Sequence, residues 1–163
     1  MRKLLVISVT VVPAMATTAL AQRGGGYHGW GPRVGLNVNP DQVHFGAHID
    51  LGNLSDRLRL QPNFGVGLGD DVTVGEINFE VNYRFRGRWD VWTPYLGGGL
   101  GVLFYDHDNG RRHYDNSDTE FGATFLGGIE KGLASGDRFF LEAKLGLVDT
   151  PDLKFLIGWT FWR

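Results

Sequence analysis

The sequence predicts an all-β chain: eight antiparallel strands running up and down and closing into one barrel, with the apolar face outward. Three observations point there. Apolar and polar residues alternate in segment after segment. The polar parity of those segments is rich in glycine, of which the chain has 25. The connections between segments are short, with one exception. The stretch that combines these features runs from Thr93 to Asp106. Trp92, Leu96, Leu100, Val102 and Phe104 share one parity; Tyr95, Gly97, Gly99, Gly101, Leu103 and Tyr105 share the other. Strand side chains alternate between faces, so one face is greasy and the other nearly bare. Bare glycine is costly in a strand and makes sense where space is scarce, as inside a small barrel.

The elements follow in order. Met1 to Ala21 reads as a signal peptide: Arg2 and Lys3, an apolar run from Leu4 to Ala19, then Ala19-Leu20-Ala21, with cleavage expected between Ala21 and Gln22. Pro13 and the shortness of the run argue against a spanning helix. Residues 22–31 form a glycine-rich lead-in, expected to be flexible, and residues 32–163 the barrel domain. The first strand alternates through Val34, Leu36 and Val38 and ends at Asn39-Pro40-Asp41. The second carries Val43, Phe45, Ala47, Ile49 and Leu51, with a turn over Gly52 to Asp56. The third carries Leu58, Leu60, Phe64, Val66 and Leu68 and turns at Gly69-Asp70-Asp71. The fourth, Ile77 to Phe85, alternates most cleanly, and Arg86 to Asp90 turns into the Thr93–Asp106 stretch. Asp106 to Asp118 is the long polar connection. The last three strands are centred on Phe121–Ile129, Phe139–Leu147 and Phe155–Phe161, with turns at Gly132–Asp137 and Asp149–Asp152.

Alternation alone leaves the direction of the greasy face open, because a soluble barrel also alternates. Outward is favoured by the glycine and asparagine of the other face and by aromatics near strand ends, Tyr83, Phe85, Trp92, Phe104, Phe121, Trp159 and Phe161, with Phe79 on the same parity. These are expected to face lipid. A first strand starting on the periplasmic side puts the long Asp106–Asp118 loop outside the cell, where long loops belong. The charged residues of the polar parity then point inward. Arg59, Glu76, Glu80, Arg84, Glu120, Glu130, Glu142, Lys144 and Lys154 are expected to pair across a plugged lumen, or to lie wet at its rims.

The leader ending Ala19-Leu20-Ala21, the strand Thr93-Pro94-Tyr95-Leu96-Gly97-Gly98-Gly99-Leu100-Gly101 and the closing aromatic strand resemble the small eight-stranded outer-membrane β-barrel proteins of Gram-negative bacteria, of the OmpA/OmpX-like, outer membrane protein β-barrel domain type. The resemblance implies an integral transmembrane barrel in the bacterial outer membrane with a structural or surface-interaction role. It implies outer-membrane lipid as partner, with the barrel-assembly machinery and periplasmic chaperones acting during biogenesis. The family commonly ends on phenylalanine, whereas this chain ends Trp162-Arg163. No peptidoglycan-binding domain is expected after the barrel.

Little else carries chemistry. A net charge of −2 calls for no nucleic acid, and the absence of cysteine excludes thiol chemistry. No cofactor or metal is expected. His44 and His48 share a face but stand about 13 Å apart on a strand. Asp106-x-Asp108-x-Gly110 echoes a calcium loop, but Arg111 and Ser117 occupy the places of its glycine and glutamate. Two alternatives stay open. One is a secreted or periplasmic barrel holding an apolar ligand inside. The other is a lipid-modifying enzyme, for which only Ser117, near His107 and His113, stands beside a base.

Overall fold

A computed structural model of the chain describes residues 25–70, 72–87, 89–107 and 117–162. It is a closed barrel in which eight strands follow one another around the wall in chain order. They are β1 (Gly25–Val38), β2 (Gln42–Ser55), β3 (Leu58–Leu68), β4 (Val72–Arg84), β5 (Trp92–His107), β6 (Ser117–Gly132), β7 (Arg138–Val148) and β8 (Leu153–Trp162). Every neighbouring pair is antiparallel. β1 and β8 close the ring with Trp30 opposite Phe161, Val34 opposite Ile157 and Val38 opposite Leu153. Closure leaves no edge strand, so the ladder satisfies its own backbone groups.

All eight expected strands are present. The long connection expected over Asp106 to Asp118 is shorter, because β5 runs to His107 and β6 begins at Ser117. Two other boundaries differ by more. The lead-in was expected to run to residue 31, but β1 begins at Gly25 and its residues from Gly29 pair with β8 as well as β2. Gly29 and Gly31 allow close contact with β8: a Cβ on either would run into a backbone carbonyl, that of Phe161 or of Trp159. The second difference lies at Gly52 to Asp56, read as a turn. β2 continues to Ser55 through irregular pairing with β3, and Gly52 takes a φ of 77°. Both stretches look like loops in sequence because backbone pairing, not side-chain patterning, holds them.

The polarity is inside out. The large apolar residues of the wall stand exposed, from Val34 and Leu36 on β1 to Phe155 and Ile157 on β8. The buried set is dominated by Arg33, His44, His48, Asp50, Arg59, Glu76, Glu80, Asn82, Glu130, Glu142, Lys144 and Lys154. The apolar core is small: Val74, Leu103, Leu126, Phe140 and Leu156 with the ring of Tyr95.

Candidate functional site

β4 and β5 show how the lumen is made. Their register sets Asn78 opposite Gly101, Glu80 opposite Gly99 and Asn82 opposite Gly97. A Cβ on Gly99 would lie 2.8 Å from Glu80 Cγ and 3.2 Å from Thr124 Oγ1. A Cβ on Gly101 would overlap Asn78 Oδ1, and one on Gly97 would overlap Asn82 Oδ1. The bare face of β5 is therefore the space that three polar side chains of β4 occupy. The same device recurs where Tyr95 fills the space above Gly128 and Phe140 that above Gly158.

The charges fall into three tiers. The middle tier is a closed ring of four. Arg33 Nη1 lies 3.3 Å from Glu80 Oε2 and 3.5 Å from Glu142 Oε1. Lys144 Nζ bonds Glu80 and stands 3.6 Å from Glu142 Oε1. Tyr95 donates its hydroxyl to Glu142 at 2.8 Å, and the Phe140 ring packs 5.3 Å from the Arg33 guanidinium. The lower tier, toward the described chain ends, is a linear chain. Arg84 and Arg59 both bond Glu130, Arg59 at 2.7 Å. Arg59 reaches Asp50 at 3.9 Å, and Arg138 bonds the same carboxylate. In the upper tier Lys154 bonds Glu76 at 2.6 Å and His44 Nε2 lies 3.6 Å from it. Amides fill the gaps, Asn82 to Gln61 at 2.9 Å and Asn37 to Gln42 at 2.8 Å. Desolvating so many ions is tolerable only because each cation faces a carboxylate at close range.

The turn between β7 and β8 folds against β6 at the upper end of the barrel. Pro151 is buried, and Thr150 Oγ1 donates to the Ala123 carbonyl at 3.5 Å. Asn39 Nδ2 donates to Asp152 Oδ2 at 2.6 Å, tying this turn to the one between β1 and β2. Beneath Pro151, the space among Glu76, Asn78, Glu80, Lys144 and Lys154 is about 10 Å³. That is room for roughly one water.

Eight of the nine lumen charges read from the sequence meet in these tiers. Glu120 is the exception: half-buried toward the loop end of β6, it belongs to none of the described ion pairs. Sequence reasoning missed Arg33, Asp50 and Arg138, which complete the middle and lower tiers. Their parity was the available signal, since each continues the polar side of its strand. His48 shares a 2.8 Å hydrogen bond with Thr160, far from His44's partner Glu76. Among the described residues no group of three histidine or acidic side chains could hold a metal. The signal peptide with its Ala21–Gln22 junction, and the side chains from His107 to Asp118, lie outside the described residues.

The outer wall carries Phe79, Tyr83, Phe85, Phe104, Phe121, Trp159 and Phe161 exposed, with Trp92 half-buried against Phe139. Phe139 also packs edge-on against Trp159, at 4.6 Å between centroids. The apolar-ligand alternative needed this greasy face inside. The lumen is instead lined with paired charges, and the burial of the polar parity corrects that alternative.

No protein-family model matches the sequence, and no curated protein sequence matches it. Among solved structures, the chain is similar to the N-terminal β-barrel domain of Pseudomonas aeruginosa OprF, with a TM-score of 0.59 and 18% identity over 84% of this chain and 99% of that one. It is similar to Neisserial surface protein A, with a TM-score of 0.62 and 15% identity over 84% and 96%. It is also similar to the Yersinia pestis outer membrane protein Ail, with a TM-score of 0.50 and 8% identity over 83% and 99%. At these identities the likeness establishes the fold: the chain is an eight-stranded, antiparallel, up-and-down β-barrel of the kind these outer-membrane proteins share.

Proposed function

We propose that the chain is an integral protein of the bacterial outer membrane, a non-enzymatic barrel with a structural or surface-interaction role and a lumen closed to general diffusion. One observation carries the reading. Phe79, at mid-wall on β4, is 61% exposed, while its neighbour Glu80 is fully buried. Water would favour the reverse arrangement; hydrocarbon outside favours this one. The outer-membrane barrels of the same fold support the compartment. The ring of Arg33, Glu80, Lys144 and Glu142 and the buried Pro151 support a plugged lumen, because ions crossing it would have to part those pairs. In this reading the closed sheet satisfies the backbone, the wall meets lipid, and the Asp106–Asp118 connection is left to meet partners outside the cell.

The test is cell fractionation followed by gel mobility with and without boiling. A band in the outer-membrane fraction whose mobility changes on heating is the expected result. A soluble band without a heat shift would refute the membrane reading. In planar bilayers the wild-type protein is expected to give no porin-sized conductance; steady large steps would refute the plug.

A further inference from the structure

The two ends of the barrel differ in chemistry. All five tryptophans, Trp30, Trp89, Trp92, Trp159 and Trp162, lie at the end that carries the described chain ends. The described turns at the opposite end carry Asp41, Asp70, Asp149 and Asp152 and no lysine or arginine. Among the described residues the cations at the tryptophan end are Arg57, Arg84, Arg86, Lys131 and Arg138, interspersed with the carboxylates of Asp56, Asp90 and Asp137. Arg84 and Arg138 are bound inside, to Glu130 and Asp50. Asp137 accepts from the Trp162 amide and the Ser135 hydroxyl. Arg57 and Arg86 pair with no carboxylate among the described residues.

Arg57 sits on the wall. Although it lies in the turn between β2 and β3, its guanidinium rests over the ring of the exposed Tyr83, 5.8 Å from the centroid, with Nη1 donating to the Tyr83 hydroxyl at 2.7 Å. Tyr83 packs edge-on against Phe85 at 5.3 Å, and Arg86 follows it, exposed. The Phe85 amide donates to the Pro94 carbonyl at 3.0 Å, which holds this stretch beside β5, and Trp89 pairs with Trp92 through two backbone bonds. Above this belt the wall is continuously apolar through Phe79 and Ile77.

We propose that Arg57 and Arg86, framed by Tyr83, Phe85 and Trp89, bind the phosphate of an anionic phospholipid in the leaflet at the tryptophan end. The inference rests on the membrane reading above. A guanidinium has five donors, and Tyr83 takes one. The remaining donors meet no carboxylate among the described residues, and a planar fork suits a phosphate oxygen pair. The neighbouring surface fixes the occupant: an anionic head that continues into an apolar tail. Each basic group beside an anionic lipid surface is worth about fivefold in partition, so two should enrich such lipid clearly over its bulk fraction.

The full chain, refolded into phosphatidylcholine vesicles containing a minor fraction of brominated phosphatidylglycerol, tests this through its own tryptophans, all of which lie in the belt. Quenching is expected to be at least about twofold greater than by brominated phosphatidylcholine at the same fraction. The Arg57→Gln/Arg86→Gln chain should lose that preference while keeping its heat-dependent mobility; Arg57→Lys/Arg86→Lys should keep most of it. Equal quenching by the two lipids in the parent chain would overturn the site, as would an undiminished preference in the glutamine variant. If the double variant does not fold, the parent comparison and the exposed single change Arg86→Gln decide by the same readout. A chain that enters neither vesicle would overturn the membrane reading itself; one that enters both without preference overturns only the headgroup site.

Discussion

Phe79 and Glu80 are adjacent in sequence and occupy opposite worlds. Phe79 stands on the outer wall beside Leu100, its partner across the ladder; Glu80 is sealed inside over Gly99, held by Arg33 and Lys144. On the wall, shape matters little and polarity decides, because lipid fits any greasy surface. In the lumen both matter. Each charge needs its partner, and each glycine must stay bare for a particular side chain to fit. The inside is therefore specified residue by residue and the outside only by class.

That contrast orders the expected effects of mutation. Glu80→Ala strikes hardest, because it removes one anion from a closed ring and leaves Arg33 and Lys144 sharing Glu142. Breaking a buried pair in this way should cost about 3–5 kcal/mol, read as a lowered midpoint of urea unfolding in vesicles. A second change, Lys144→Ala on the Glu80→Ala background, should cost less than the sum of the two alone. Phe79→Arg should cost about 2–4 kcal/mol, the penalty for a charge at mid-wall, while Phe79→Leu should be nearly silent. A Phe79→Arg chain as stable as the parent would break the distinction from the outer side.

Glycines of the two parities sharpen it further. Gly101→Val places atoms where Asn78 Oδ1 already sits and should cost about 1–3 kcal/mol. Gly98→Ala, three residues earlier on the outward parity, meets nothing closer than a carbonyl oxygen at 3.4 Å and should change stability by less than about 0.5 kcal/mol. Equal effects at the two positions would mean that the bare face of β5 is not reserved for β4.

The strands and their faces were legible in the sequence because alternation is a local signal. Ile77 to Phe85 declares its two sides without reference to anything else. The lumen's membership was mostly legible for the same reason, since Glu76, Glu80, Glu130, Glu142, Lys144 and Lys154 fall on the polar parity. Which acid meets which base was not. Arg33 and Glu80 are 47 residues apart, and Arg59 and Glu130 are 71 apart. The stagger of the closed ring brings them together, and no local pattern encodes that stagger. Arg33 and Arg138 were passed over because each sits at a glycine-rich or turn-like strand end, and Asp50, although on the polar parity between Ile49 and Leu51, because it borders the stretch read as a turn from Gly52. The tie between Asn39 and Asp152 across the upper mouth spans 113 residues and leaves no trace in sequence.

The most direct measurement uses the absence of native cysteine. Single cysteines are placed at Leu100, on the outer wall, and at Asp152, in the upper turn, and the chain is inserted into vesicles. A membrane-impermeant maleimide is expected to label the Asp152→Cys chain and to leave Leu100→Cys untouched until detergent or denaturant is added, while a lipid-soluble maleimide reaches Leu100→Cys in the intact bilayer. Rapid labelling of Leu100→Cys by the impermeant reagent in a heat-shifting, folded chain would put that face in water and contradict the inside-out barrel.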